Sequence, residues 1–263
     1  ALRSPSVGTR VLIAIAALLA LGLLIHGPIA QWASYHHFAD QREWLGLPHA
    51  ADVLSNLPFA LIGAWALGAR RDAPPHDSSL AWTVFAAALV ATAAGSSLYH
   101  WAPDNASLAF DRLPIAWACA ALTCAFLAER VDARWGSPHA LGVALLAASA
   151  SVALWWWSEQ AGRSDLRPYL FVQFLPMLLV PAALLMQLPR RFASAAPDAA
   201  WWGVLAGYAI AKALEVADHA VFDALGVVSG HTLKHLAAAG AAWWLVAARH
   251  RATRGPVSCG SPR

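Results

Sequence analysis

Three histidines stand at helical spacing, beside a hydroxyl and a carboxyl group, in segments that are otherwise apolar. The stretch S-G-H-T-L-K-H-L, Ser229 to Leu236, carries His231 and His235 four residues apart. The stretch G-S-S-L-Y-H ends on His100, four residues after Ser96, and A-F-D-R-L-P places Asp111 a little further on. Residues four apart lie on one face of a helix. Two histidines from one helix and a third from another match the His₃ pattern of a zinc site (Zn2+) that keeps its fourth position open to water. A nearby carboxylate can then hold or move a proton, and a hydroxyl can donate to a developing oxyanion. Ligand histidines bind in the neutral form, so metal affinity should fall in acid.

Each of these residues also has a plainer use. A histidine at a membrane interface can serve as a hydrogen-bonded interfacial group, and the Ser96 hydroxyl can bond a carbonyl of the preceding turn. Asp111 can be a carboxylate favoured by a helix N-terminus and paired with Arg112. Their joint placement separates the readings, and it depends on the elements that carry them.

Those elements are membrane helices. Of 263 residues 59% are hydrophobic and only 13% are charged, and the mean hydropathy is +0.50, outside the range of ordinary soluble domains. A span needs roughly 20 mostly apolar residues. Eight stretches approach this: 11–31, 51–69, 80–101, 107–129, 138–157, 169–188, 200–222 and 230–248. The connections are too short to fold separately. The expected architecture is therefore all-α, a polytopic transmembrane helical bundle.

Arginine placement orients the bundle, because short cytoplasmic loops are enriched in basic residues. One side carries twelve arginines: Arg3, Arg10, Arg70, Arg71, Arg130, Arg134, Arg190, Arg191, Arg249, Arg251, Arg254 and Arg263. The other carries Arg42, Arg163 and Arg167. Both termini are thus expected in the cytoplasm. Ser96, His100, Asp111, His231 and His235 then fall at similar depth near the opposite face. The net charge of +3 follows from this bias and gives no reason to expect a nucleic-acid partner.

Residues 1–32 read as a tail plus a retained first span, although Arg3, Arg10 and the apolar run that follows also resemble a signal peptide. Residues 33–248 read as the core and 249–263 as a basic cytoplasmic tail. The three cysteines form no framework. Fourteen tryptophans, some paired near span ends, suit the membrane interface. Pro58, Pro114, Pro176 and Pro181 are expected to kink or break their helices.

The seventh span contains K-A-L-E-V-A-D-H, 212–219. Lys212 can pair with Glu215, and Glu215 with His219, as structural ion pairing within the bundle. Alternatively Glu215, Asp218 or His219 supports the metal site from behind or forms a proton path to it. Lys234 is expected to snorkel to the interface.

The set S-x-x-x-H at 96–100, Asp111 eleven residues later, and H-x-x-x-H at 231–235 resembles the alkaline ceramidase family, part of the wider CREST superfamily of membrane hydrolases. D-V-L-S-N-L-P-F at 52–59 is similar to the Ser- and Asn-containing stretch that opens that family's first core helix. The resemblance covers about residues 35–248, a seven-helix core to which the first span is an addition. It implies that His100, His231 and His235 hold zinc while Ser96 and Asp111 flank the reacting water. It further implies hydrolysis of a ceramide-like lipid amide to a sphingoid base and a fatty acid.

The family also carries an acidic calcium site. Here H-H-F-A-D-Q-R-E-W-L-G-L-P-H-A-A-D offers Asp40, Glu43 and Asp52 at shorter spacing, and His49 stands about where a family glutamate belongs. These acids are read as an exposed, solvated loop in preference to a Ca2+ site. The leading expectation is an intramembrane zinc-dependent amidohydrolase of a bacterial inner membrane. The alternatives are a bis-histidine haem electron carrier and a receptor or transporter with a structural metal.

Overall fold

A computed structural model describes residues 6–69 and 76–254. Arg3, Arg70, Arg71, Arg263 and the tail after Arg254 lie outside the described residues. The described residues form helices and turns with one isolated bridge, Trp44 to Leu47, and no named strand. The all-α reading therefore holds.

Ten α-helices follow in order: α1 (Val7–His26), α2 (Ala50–Leu54), α3 (Leu57–Ala69), α4 (Ser79–Trp101), α5 (Asn105–Arg130), α6 (Pro138–Gln160), α7 (Arg167–Leu185), α8 (Asp198–Val216), α9 (Asp218–Leu225) and α10 (Gly230–Arg254). Among the described residues six stretches are long and apolar enough to cross a membrane: α1, α2 with α3, α4, α5, α6 and α7. They make the chain a multi-pass membrane protein. The two other expected spans fall on α8 with α9 and on α10. Lys212 and Glu215 in α8, and Lys234 with the terminal arginines in α10, lower the hydropathy of those helices.

Two expected spans are broken, each for a local reason. The stretch 51–69 divides at Ser55–Asn56, where the Asn56 amide bonds the Val53 carbonyl, one residue short of the helical partner. The Asp52 carbonyl is taken instead by Ser55 Oγ (3.0 Å) and Asn56 Nδ2 (2.8 Å). Pro58, which has no N–H to donate, then sits in the first turn of α3, where none is needed. The stretch 200–222 divides at Ala217, and Asp218 starts α9. By contrast α5 and α7 run through Pro114, and through Pro176 and Pro181. The expected tail from 249 begins instead as the last turn and a half of α10.

Helices α4 and α5 form an antiparallel pair. At one end Ser78 and Trp82 donate to the buried Glu129 carboxylate (2.9 and 2.7 Å), which also accepts from the Ala196 amide. Arg130 donates to the Leu188 and Ala196 carbonyls and to Asp198. Arg249 reaches His76 there too. Arg130 and Arg249, of the larger group, thus lie at the end opposite His100. The main core joins α3, α4, α5, α7, α8 and α10. Helix α1 packs chiefly on α7 and is the least buried of the six spans.

Candidate metal centre

The first turn of α10 is fixed before any metal is considered. Ser229 caps it, accepting from the Thr232 amide (3.0 Å), and Asp218 Oδ1 accepts from the His231 amide (2.7 Å). The other Asp218 oxygen accepts from the Ala39 amide (2.9 Å). Asp218 therefore steadies His231 through its backbone and ties the 37–49 segment to α10. Gly230 is required at the contact, because a Cβ would meet the Asp218 Cα at 2.8 Å and overlap the Leu214 carbonyl. Thr232 donates to the fully buried Asp52 (2.6 Å), holding α2 against the same turn.

His100 arrives from the end of α4. Its carbonyl accepts from His49 Nδ1 (3.0 Å). His49 has a left-handed backbone, φ +46° and ψ +41°, uncommon for a residue with a side chain. The ligand-bearing atoms of His100, His231 and His235 lie within 4.8 Å of one another, and all three residues are buried. Ring centroids are 4.7–5.0 Å apart. Among the described residues this is the one group of three or more metal-type side chains so assembled.

The residues fit a cation. His100 Nδ1 and His231 Nε2 are buried with no hydrogen-bond partner, and a buried polar atom left unpaired costs about 1–3 kcal/mol. His235 Nδ1 lies 2.8 Å from Ser55 Oγ, whose proton goes to the Asp52 carbonyl. Ser55 must then accept from His235, so Nδ1 carries the proton and Nε2 keeps a free lone pair. Each of the three imidazoles thus offers one nitrogen to the group, two of them without a protein partner.

Ser96, one helical turn before His100 on α4, faces the Asp111 carboxyl. Gly95 sits against Phe110, so that a Cβ would overlap the Phe110 carbonyl and approach the Asp111 amide at 3.4 Å. Pro114, four residues after Phe110, has no N–H to occupy that carbonyl, which turns toward α4. Asp111 Oδ1 is buried without a partner. Arg112 does not pair with Asp111. It donates to Gln31 and lies 4.1 Å from the Trp155 ring centre and 5.0 Å from that of Tyr169.

Glu215 accepts from Lys212, from Lys234 (3.0 Å) and from the Tyr35 hydroxyl (3.4 Å). Lys234 therefore ion-pairs within the bundle and does not snorkel. It lies in electrostatic reach of Asp111 and of all three histidines. The expected Glu215–His219 pair does not form, because α8 ends between them. His219 is exposed and bonds the His37 carbonyl (3.1 Å).

Asp40, Glu43 and Asp52 do not gather. Asp40 is buried on Arg42 (2.6 Å), whose hydrogen bonds hold its carboxyl below the usual carboxylate range. Asp52 is buried behind α10, and Glu43 is exposed. The exposed-loop reading is thus corrected for two of the three acids, because Arg42 and Thr232 give them partners.

Ser55, Phe38 and His49 are positioning residues that spacing does not disclose. Phe38 packs 4.6 Å from His100 and 4.5 Å from His231, and closes the site on that side. The Pro58 signal marks a helix break near Ser55, but nothing local pairs that serine with a residue 180 positions away.

Fold and site together define an all-α multi-pass membrane protein with a buried three-histidine group able to hold a metal ion. No family model, curated protein or solved structure matches the chain.

Proposed function

We propose that this protein is an intramembrane zinc-dependent hydrolase that cleaves the amide bond of a ceramide-like lipid, releasing a sphingoid base and a fatty acid. The observation that carries the reading is the convergence of three buried imidazoles, two of them with an unpartnered nitrogen, while Ser96, one helical turn before His100, faces an Asp111 carboxyl that has a buried unpartnered oxygen. A donor set of imidazoles alone suits zinc among the common metals. The resemblance of these residues to the alkaline ceramidase pattern supports the lipid-amide substrate.

His100, His231 and His235 would hold the ion, which would supply a water nucleophile at neutral pH and a polarised carbonyl. Asp111 takes the proton that water loses as it adds to the amide carbon, and returns it to the nitrogen as the C–N bond breaks. Ser96 donates to the carbonyl oxygen as negative charge builds there. Lys234 balances the Glu215 and Asp111 carboxylates, and Phe38 keeps bulk water off the histidine pair it covers. Atoms balance as amide plus water to acid plus amine.

Geometry favours an ion over haem. A macrocycle between two axial imidazoles needs the space that the third histidine and Phe38 fill. The arginine bias supports termini in the cytoplasm and a metal centre near the opposite face, and the short, alanine-rich loops suit a bacterial inner membrane.

The test is fatty-acid release from a panel of lipid amides by purified protein, with and without a zinc chelator, alongside metal analysis. Stoichiometric zinc, with release that stops on chelation and returns with zinc, is the expected result. Zinc-loaded protein that releases nothing from the whole panel would overturn the hydrolase, and a haem Soret band would overturn the zinc.

A further inference from the structure

The end of the bundle opposite the histidines carries a groove of about 510 Å³ between the start of α8 and the end of α10, lined by Arg190, Pro197, Ala199, Trp244, Ala248 and Arg251 among others. Several of the described arginines at this end are already engaged. Arg130 is bonded to Asp198, Arg191 to the Val131 carbonyl and Arg249 to His76. Arg190 and Arg251 are exposed, line the groove together, and have no hydrogen-bond or ion-pair partner among the described residues.

Other features of the groove point to an anion. Pro197, the residue before α8, supplies no side-chain cap, and while its carbonyl accepts from the Ala200 amide (2.9 Å), the Asp198 and Ala199 amides ahead of it can face an anion. Among the described residues no carboxylate lines the groove, and Asp198 at the start of α8 is neutralised by Arg130 (2.6 Å). The remaining wall is apolar, and Trp244, half exposed, stands with Trp243 and Trp202 at this end, the side-chain type that settles at headgroup depth.

We propose that this groove binds the phosphodiester headgroup of an anionic phospholipid, with Arg190 and Arg251 on the phosphate, the α8 amides behind it and an acyl chain along Trp244 and Ala248. The assignment is independent of the hydrolase reading. It adds a lipid site at the far end of the bundle from the metal centre.

The experiment is native mass spectrometry of the purified full chain with phosphatidylglycerol and phosphatidylcholine of equal acyl length, paired with thermal melting in the same detergent. Wild type should retain phosphatidylglycerol preferentially and melt higher in its presence. An Arg190→Gln/Arg251→Gln double variant should bind it at least about tenfold more weakly and lose the thermal shift. Arg134→Gln, removing an exposed arginine that pairs with Asp132 outside the groove, should behave as wild type. Equal retention of the two lipids by wild type, or undiminished phosphatidylglycerol binding by the double variant, would overturn the site. So would a thermal shift that inorganic phosphate alone reproduces in full, because the ligand would then be free phosphate.

Discussion

Ser55 Oγ stands 2.8 Å from His235 Nδ1, across 180 residues of sequence, at the break between two short helices. Because the serine proton is committed to the Asp52 carbonyl, the contact selects the tautomer whose Nε2 is free for a metal. Ser55→Ala should leave the fold intact and lower zinc affinity about 10–100-fold. Zinc titration against a competing chelator measures this, and Ser55→Thr should restore most of the loss. Unchanged affinity in the alanine variant would mean that the hydrogen bond does not orient the ring.

Holding the metal and moving the proton are assigned to different residues and should separate. Asp111→Asn should retain zinc while fatty-acid release falls about 10²–10⁴-fold. His100→Ala should lose metal and release together. Metal content and turnover measured on the same preparations distinguish the two, and loss of zinc from the asparagine variant would make Asp111 part of the binding set.

The close approach of α4 to α5 brings Ser96 to Asp111. Gly95→Ala should push the helices apart and cost about 1–3 kcal/mol, the usual range for overpacking. Gly22→Ala in α1, where an added Cβ meets nothing within 4 Å, should be neutral. Thermal melting in detergent compares them, and equal melting points would show that the crossing yields without cost.

His76 lies outside the spans, and burial together with the Arg249 guanidinium lowers its pKa from 6.5 to about 4. Its ring accepts from Arg249 at 2.6 Å, an arrangement that needs the neutral form. Between these two values the unfolded chain binds a proton that the folded chain does not, so stability rises with pH. The contribution is complete above pH 6.5 and is lost as pH falls toward 4. Melting temperature across that window should fall less steeply in His76→Gln than in wild type, and identical slopes would remove His76 as the titrating group.

Hydropathy and four-residue spacing made much of this protein legible. Both are local properties. An apolar run of span length must be helical in lipid because its backbone has no other partner there, and residues four apart must share a face. Thus the all-α membrane class and the grouping of His231 with His235 followed from the chain alone. The spacing of Lys212 and Glu215 likewise announced their ion pair. The same locality misled at Glu215 and His219, where a helix assumed to be continuous ends at Ala217.

What tertiary structure decided was which distant groups meet. Phe38 over His100 and His231, Asp218 on the His231 amide, and Lys234 turned inward to Glu215 all depend on helix packing and on a loop folded back over the site. Hydrogen bonds of this kind carry no period in the sequence. Their partners are chosen by the low-dielectric interior, which penalises any buried polar group left alone. The histidine spacing therefore disclosed a metal-type motif, and only the packed bundle disclosed which imidazole nitrogens remain free to use it.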